Sequence, residues 1–136
     1  MANTNFPLSD LLGLTKEGTR ALRFKGEIES GIKDITLQNP TTSTGNGTEF
    51  DVGAFRDLTI EIYGSSTNRT IVFEAAGPSG VFKPIPGFRT LDLEMATQTT
   101  GNNESWSFDI TGQKKFRARI TAVVGGNVTI KGTAVA

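Results

Sequence analysis

The chain has 136 residues, 14 basic and 14 acidic side chains, no cysteine and no histidine. This length suits one domain, and the balanced charge argues against a sequence-independent nucleic-acid binder or an anchor on an anionic membrane, both of which need excess lysine and arginine. Because thiolate nucleophiles, cysteine-ligated zinc and histidine proton shuttles are all impossible, we expect no catalytic site and no cofactor, and a protein that acts by binding or assembly.

Residues 1–18 are predicted to form an N-terminal arm. No basic stretch leads into an apolar run here, so we expect no signal peptide, and no apolar run reaches the roughly 18 residues of a membrane span. Four leucines lie close together in the arm: Leu8, Leu11, Leu12 and Leu14. Burial of each is worth about 1.5–3 kcal/mol, so we predict that they are assembly residues. The arm docks either on its own domain or on a neighbouring subunit.

Residues 19–136 are predicted to form an all-β domain, an antiparallel β-sandwich of the jelly-roll type, best supported from residue 50. Before that point, residues 21–28 alternate enough for a strand, and Ile35 with Leu37 indicates another. The clearest strand is 58–63, where apolar and polar residues alternate strictly and a Gly-Ser-Ser-Thr-Asn turn follows.

About seven strands are expected from residue 50 onward, separated by the glycine-rich and polar turns of a sandwich. Further alternating segments are 69–75, 106–110, 116–122 and 128–134. Pro84 confines the segment 81–85 to a sheet edge or a bend. Residues 91–95 alternate Leu-Asp-Leu-Glu-Met and are predicted to form a strand, whereas Gly125-Gly126-Asn127 predicts a tight hairpin.

Two segments of the chain echo each other, 50–62 and 108–120. Each begins Phe-Asp-(Val/Ile), passes a corner with a basic residue and enters an alternating strand. This pattern predicts a chain that ends one strand, turns a corner and starts the next strand in the facing sheet. If the two echo strands were neighbours, Arg117 and Arg119 would lie near Glu61. We expect this basic stripe to protect the surface against edge-to-edge aggregation rather than to bind phosphate.

The remaining polar and aromatic residues give few candidate sites. Asp92 and Glu94 share a predicted strand face, where acids usually face solvent. Residues 102–104 and 48–51 offer oxygen atoms without the dense cluster that calcium needs, so a hydrogen-bonded loop is favoured and no metal is predicted. Trp106 and Phe108 are two residues apart and therefore share one face of a predicted strand, so Trp106 is assigned to the core. Tyr63 ends its strand and is the candidate ligand contact.

Four segments carry a family resemblance: FRDLTIEI (55–62), RTIVFEA (69–75), FDITG (108–112) and GGNVTIKG (125–132). Over residues 50–136 the chain resembles the small β-sandwich proteins of tailed-bacteriophage virions, which include capsid decoration proteins, head fibres and tail-associated modules. The resemblance implies a non-enzymatic structural protein, first of all a capsid decoration protein on a phage head lattice, located in the virion after assembly in the host cytoplasm.

The same resemblance implies a homo-oligomer, often a trimer, and a major capsid protein or another virion protein as partner. The alternative function is a tail or baseplate module that binds a carbohydrate or a cell surface. Nucleic acid and membrane are not expected partners, for the reasons of charge and hydropathy given above.

Overall fold

A computed structural model describes residues 31–136, and this part of the chain contains strands, turns and no helix. The strands are β1 (Ile32–Thr41), β2 (Phe50–Asp51), β3 (Asp57–Tyr63), β4 (Asn68–Ala76), β5 (Phe82–Pro84), β6 (Gly87–Arg89), β7 (Met95–Ala96), β8 (Gln98–Thr99), β9 (Glu104–Asp109), β10 (Lys115–Val124) and β11 (Val128–Val135). The all-β prediction is confirmed. No helix able to cross a membrane is found in the described residues.

Several predictions fall outside the described residues. These are the arm at 1–18, its boundary with the sandwich domain, the strand at 21–28 and the four assembly leucines. The leucines are Leu8, Leu11, Leu12 and Leu14.

The strands form two antiparallel sheets in jelly-roll order. The first sheet runs β1-β11-β3-β9-β6-β7, and the second runs β2-β10-β4-β5, with β8 also paired to β4. The strands β1 to β4 alternate between the first and the second sheet, and β9, β10 and β11 do so again. This alternation places β1-β11-β3-β9 against β2-β10-β4-β5, which is the strand order of a jelly roll. The predicted fold class is therefore confirmed.

The core lies between the two sheets because alternate residues of each strand point inward. In β3 every second residue is buried, and the residues between them face solvent. Four aromatic rings join the sheets. Phe73 of the second sheet lies 5.1 Å from Trp106 and 4.8 Å from Phe108 of the first sheet, and Phe108 lies 4.9 Å from Phe116. Trp106 is 1% exposed, as predicted for a core residue.

The sequence echo corresponds to two matching corners, and each carries the chain from one sheet to the other. The first corner joins β2 to β3, and the second joins β9 to β10. The amide of Val52 donates to the carbonyl of Lys114 (3.0 Å), and the amide of Ile110 donates to the carbonyl of Arg56 (2.8 Å). Since 52 and 56 align with 110 and 114, these two bonds are reciprocal, and they relate the two corners by a local two-fold.

The same relation extends into the strands that leave the corners. Thr59 of β3 aligns with Arg117 of β10 in the echo. Thr59 is paired with Thr133 of β11, and Arg117 is paired with Glu74 of β4. The outer faces of the two sheets therefore carry equivalent positions filled by different residues.

Two predicted elements are wrong, and tertiary pairing explains both. Gly125-Gly126-Asn127 does not form a hairpin, because β10 belongs to the second sheet and β11 pairs with β1 and β3 in the first. Instead the turn is held against Ser65, whose hydroxyl accepts a hydrogen bond from the Asn127 amide (3.1 Å). Residues 91–95 do not form a strand; only Met95 enters β7. The edge position predicted for the segment around Pro84 is confirmed by β5, the last strand of its sheet.

Candidate interaction surfaces

The turn between β6 and β7 exposes four large apolar side chains. The exposed fraction is 45% for Phe88, 88% for Leu91, 73% for Leu93 and 59% for Met95. Phe88 and Met95 are paired across β6 and β7, and the two leucines lie in the turn between them. Such a concentration of exposed apolar surface within eight residues is typical of an interaction site. We call Phe88, Leu91, Leu93 and Met95 the apolar tip.

Arg89 holds the apolar tip in one conformation. Its guanidinium donates two hydrogen bonds to Asp92 (2.8 and 3.0 Å), pairs with Glu94, and donates to Glu104 (3.2 Å). This bidentate contact lowers the pKa of Asp92 to about 2. The backbone closes the same turn, since the Leu93 amide donates to the Arg89 carbonyl (2.7 Å). Asp92 and Glu94 are therefore Arg89 ligands in a turn, and the prediction that they share a strand face is wrong.

Leu93 adopts the left-handed backbone conformation, with φ of 62°. This conformation costs about 1–2 kcal/mol for an ordinary residue, and asparagine or glycine is the usual occupant. A leucine in this position directs an apolar side chain into solvent at an energetic cost. A strained and exposed apolar residue is a reason to look for a contact partner.

Glu104 anchors the Arg89 turn to the core. The indole nitrogen of Trp106 donates to one oxygen of Glu104 (3.0 Å), and the Thr99 hydroxyl donates to the same oxygen (2.8 Å). The side-chain amide of Asn102 donates to the Gly64 carbonyl (3.0 Å). The loop 102–104 is thus hydrogen-bonded, as favoured from the sequence. Within residues 31–136, no group of three or more acidic side chains is placed to hold a metal ion.

The outer face of the first sheet carries polar side chains, most of them serine or threonine, in two rows that cross four strands. The first row is Asp34, Thr133, Thr59 and Ser107, and the second is Thr36, Lys131, Glu61 and Ser105. We call these eight residues the hydroxyl face. Within the first row, the Thr133 hydroxyl donates to Asp34 (2.9 Å), and the Thr59 and Ser107 hydroxyls lie 3.4 Å apart.

Two open hollows lie along the hydroxyl face. One has a volume of about 500 Å³ and is lined by residues of β1, β11 and β3, among them Thr59, Glu61 and Thr133. The other has a volume of about 440 Å³ and is lined by Glu61, Tyr63 and Ser105 together with residues of the 103–104 loop. Glu61 belongs to both hollows. Tyr63, the candidate ligand contact, is 37% exposed and lies in the second hollow at the end of β3.

The outer face of the second sheet is charged, and its charges bind one another. Glu74, whose side chain is 9% exposed, accepts hydrogen bonds from Arg117 (2.8 Å) and Arg119 (2.8 Å). These guanidiniums, Arg119 first, lower the pKa of Glu74. The Arg117 guanidinium also lies 3.9 Å from the centre of the Phe82 ring, a cation–π contact.

This arrangement corrects the interpretation of the basic stripe. Arg117 and Arg119 do not lie near Glu61, since β3 and β10 belong to opposite sheets. β2 pairs with β10 only at Lys115 and Phe116, so the protective role predicted for the stripe stays a prediction. Its guanidiniums neutralise Glu74 and hold the edge strand β5 through Phe82.

Sequence reasoning placed Thr59 and Glu61 on an outward face but missed the hydroxyl face as a unit. The rows depend on pairing between strands about 70 residues apart, such as Thr59 with Thr133, and alternation within a strand does not specify its neighbour. The apolar tip had a local signal, the apolar residues at 88, 91, 93 and 95. That signal has the same period as a buried strand and was interpreted as one.

The topology and the surfaces together define an all-β jelly-roll domain with two distinct outer faces. A comparison with known protein families shows which one it is. The XepA family model matches residues 31–134, and the chain belongs to the XepA family.

Three relatives come from Bacillus subtilis (strain 168). YqxG is 35% identical over 132 residues, which is 93% of this chain and 44% of YqxG. The SPbeta prophage-derived protein YomS is 40% identical over 101 residues, covering 74% of this chain and 85% of YomS. The PBSX phage-like element protein XepA is 33% identical over 102 residues, covering 75% of this chain and 37% of XepA. The chain thus spans less than half the length of YqxG and XepA, and most of YomS.

The solved structures of two of these relatives share the fold. The crystal structure of YomS matches with a TM-score of 0.74 and 38% identity, over 77% of this chain and 93% of the YomS chain. The crystal structure of XepA matches with a TM-score of 0.76 and 32% identity, over 77% of this chain and 38% of the XepA chain. YomS and XepA belong to phage-like elements, so the predicted relationship to phage proteins is confirmed at the level of the family.

Proposed function

We propose that the chain is a non-enzymatic structural protein of a phage particle, a capsid decoration protein that attaches to the head lattice through the apolar tip. The observation that carries this proposal is the exposure of Phe88, Leu91, Leu93 and Met95 on a turn that Arg89 fixes. Origin of YomS and XepA in phage-like elements supports a phage context. Viral capsid proteins also use the jelly roll. The fold therefore supports the proposal by analogy alone.

The chemistry of the tip indicates the partner surface. Burial of Leu91 and Leu93 contributes about 1.5–3 kcal/mol each, on the scale of full burial. The acids Asp92 and Glu94 flank the leucines, and both side chains are about half exposed. The matching surface is therefore an apolar hollow with a basic rim on a major capsid protein or another virion protein. Fixation by Arg89 lowers the entropy cost of docking, because the turn is ordered before contact.

A binding role also agrees with the placement of the acids. Asp92 is held by Arg89, and Glu74 is held by two arginines, so neither carboxylate is available as a base or nucleophile. Asp34 and Glu61 lie on an open face in different rows, two strands apart. A glycosidase requires two carboxyl groups that face each other across the scissile bond, and the open face offers no such pair.

The test is co-sedimentation of the full-length chain with heads and with tails purified separately from the encoding phage. We expect binding to heads, and we expect L91S/L93S to weaken it at least about tenfold, from the loss of two buried leucines. Val124→Ser is the matched control, since Val124 is 61% exposed at the end of β10, in the other sheet. Equal binding of L91S/L93S and the wild type would show that the apolar tip is not the attachment site. Binding to tails alone would favour the alternative function, a tail or baseplate module.

The tail or baseplate alternative would be favoured by an exposed aromatic cluster, or by an acidic loop that binds a cation, around Tyr63, Trp106 or residues 102–104. Trp106 is buried and donates to Glu104, so Tyr63 and Trp106 form no exposed aromatic cluster. Tyr63 remains on the surface beside the hydroxyl face.

We also propose that the chain is a homo-oligomer whose contacts include Leu8, Leu11, Leu12 and Leu14 of the arm. The test is size-exclusion chromatography with light scattering on the full-length chain and on L11S/L12S. We expect the variant to form a smaller species. An unchanged mass at the same concentration would show that the arm has no role in self-association.

A further inference from the structure

We propose that the hydroxyl face binds a linear polysaccharide of neutral or N-acetylated sugars. This inference goes beyond attachment to a head and does not depend on it. The site consists of the two rows across β1, β11, β3 and β9, with Tyr63 at one end.

The hydroxyl face matches the hydrogen-bonding chemistry of a sugar. A serine or threonine hydroxyl has one O–H donor and two acceptor positions, as a sugar hydroxyl has. Thr133 already donates to Asp34, and Thr59 and Ser107 share one hydrogen bond, so these three hydroxyls offer mainly acceptor positions, and Ser105 can also donate. Because neighbouring strands lie about 4.8 Å apart, the side chains of each row present polar groups at regular intervals across the sheet. A polymer with repeated hydroxyl groups can therefore contact several side chains of a row at once, which raises its affinity above that of a single sugar.

The charges of the face select among polysaccharides. Its charged side chains are Asp34, Glu61 and Lys131, which sum to −1. A carboxylate accepts hydrogen bonds from sugar hydroxyls and from an acetamido N–H, and it repels uronates and phosphates. An acidic polymer would instead require a face with an excess of basic side chains. The chain has a basic stripe on the second sheet, but Glu74 already occupies Arg117 and Arg119 there.

A peptide fits this face less well than a sugar. The strands β11, β3 and β9 are each paired on both sides, so in the described part of the chain a peptide could add as a strand only beside an outer strand such as β1, and not across the face. The side chains of the two rows are polar or charged, and they form no apolar pocket for a peptide anchor. The ring of Tyr63, two residues beyond Glu61 on β3, supplies an apolar surface beside the second row, on which the C–H face of a sugar ring can stack.

The part of the site on β1, β11 and β3 is separable from the apolar tip, whereas Ser107 on β9 is paired directly with Phe88 of the tip. β11 lies four strand positions from β7 in the first sheet, which is about 19 Å at the usual spacing. Substitutions on β11 or β3 are therefore expected to leave the tip unchanged, and a protein attached through the tip would still expose the hydroxyl face toward β1.

The experiment is a microarray of linear oligosaccharides, followed by titration calorimetry with the best binder, on the full-length chain. The array carries neutral glucans, N-acetylglucosamine oligomers and uronic-acid oligomers. We expect binding to the neutral or N-acetylated set. Thr59→Val and Thr133→Val each remove one hydroxyl at nearly constant shape and are expected to lower affinity about three- to tenfold.

Thr121→Val on β10 is the matched control, because it makes the same change on the exposed face of the second sheet. L91S/L93S serves as a second control and should bind the array like the wild type, which separates failure of this site from failure of the tip. Absence of binding to every neutral and N-acetylated oligomer would overturn the proposal. Preference for uronates, or equal affinity of the wild type and both face variants, would overturn it as well.

Discussion

The two outer faces of this jelly roll occupy equivalent positions and use opposite chemistry. Thr59 of β3 aligns with Arg117 of β10, and their partners across the sheet are Thr133 and Glu74. In the second sheet, these positions carry charges that neutralise one another, with Glu74 nearly buried beneath two guanidiniums. In the first sheet they carry uncharged hydroxyls that remain open to solvent.

The difference shows that one fold can place stabilising contacts on the outer face of one sheet and leave the outer face of the other sheet available for binding. The second sheet contains the short strands β2, β5 and β8, which have few backbone hydrogen bonds, and ion pairs and the stacked Phe82 add cross-links there. In the first sheet, the strands that carry the hydroxyl face (β1, β11, β3 and β9) are 6 to 10 residues long and pair with one another, so their outer side chains are not needed for cohesion. They are therefore free to contact another molecule.

The largest difference between the two faces is expected when the Glu74 carboxylate, at the centre of the second face, is removed. Glu74→Gln leaves Arg117 and Arg119 partly buried with weaker acceptors, so we expect the free energy of unfolding to fall by about 1.5–3 kcal/mol, as for hydrogen bonds to charged groups. Urea unfolding followed by tryptophan fluorescence measures it. Glu61→Gln is the control on the exposed first face and should change stability by less than about 0.5 kcal/mol. Equal effects of the two variants would contradict the division of roles.

Acid should weaken the second face and the Arg89 turn together. Arginine partners lower the pKa of Glu74 below its ordinary 4.5 and that of Asp92 from 3.8 to about 2. Between the unfolded and the folded pKa, the unfolded chain binds more protons, so this stabilisation is complete above about pH 5 and is lost as the pH falls toward 2. Urea midpoints at pH 6, 4 and 3 should decrease in that order.

The variant Glu74→Gln provides the control for that pH dependence. It should lose the part of the decrease that begins below the ordinary pKa of Glu74, 4.5, and retain the part due to Asp92. A decrease as steep as in the wild type would assign the acid sensitivity to other groups.

Loss of Arg89 should loosen the apolar tip more than it lowers global stability. In Arg89→Met the carboxylates of Asp92, Glu94 and Glu104 lose their shared donor, and the turn keeps its backbone bonds and the bond from the Glu94 amide to Asp92. We expect hydrogen exchange to accelerate at the amides of Leu93 and Glu94, and the urea midpoint to move less than in Glu74→Gln. Unchanged exchange at these amides would mean that the backbone alone fixes the tip.

The smallest effect on stability is expected at Leu93. Leu93→Asn suits the left-handed backbone of this position, so unfolding free energy should stay within about 0.5 kcal/mol of the wild type or rise. Attachment to heads should nevertheless weaken, because an exposed apolar contact is lost. A marked loss of stability would show that Leu93 packs within its own domain and is not strained for a partner.

Elements with strict alternation were predictable from sequence, and elements defined by pairing were not. The segment 58–63 has one buried and one exposed face wherever it is placed, so β3 was predicted correctly. Residues 91–95 have the same period, but Arg89 recruits Asp92 and Glu94 into a turn and leaves the leucines outside. The glycine turn at 125–127 was interpreted as a hairpin, because a short loop does not reveal that its strands join different sheets.

The sequence by itself determined that the chain is an all-β sandwich with paired corners, because alternation, glycine-rich turns and the Phe-Asp echo depend on neighbours along the chain. It also determined the burial of Trp106, which follows from the same period. Only the tertiary structure decided which charges are free and which are bound, since Glu74 meets Arg117 and Arg119 across more than 40 residues. The hydroxyl face likewise exists only after strands distant in sequence have paired, because register between strands is a property of the folded sheet. The apolar tip is local in sequence, but only the structure shows that Arg89 binds Asp92 and Glu94 and leaves the leucines exposed.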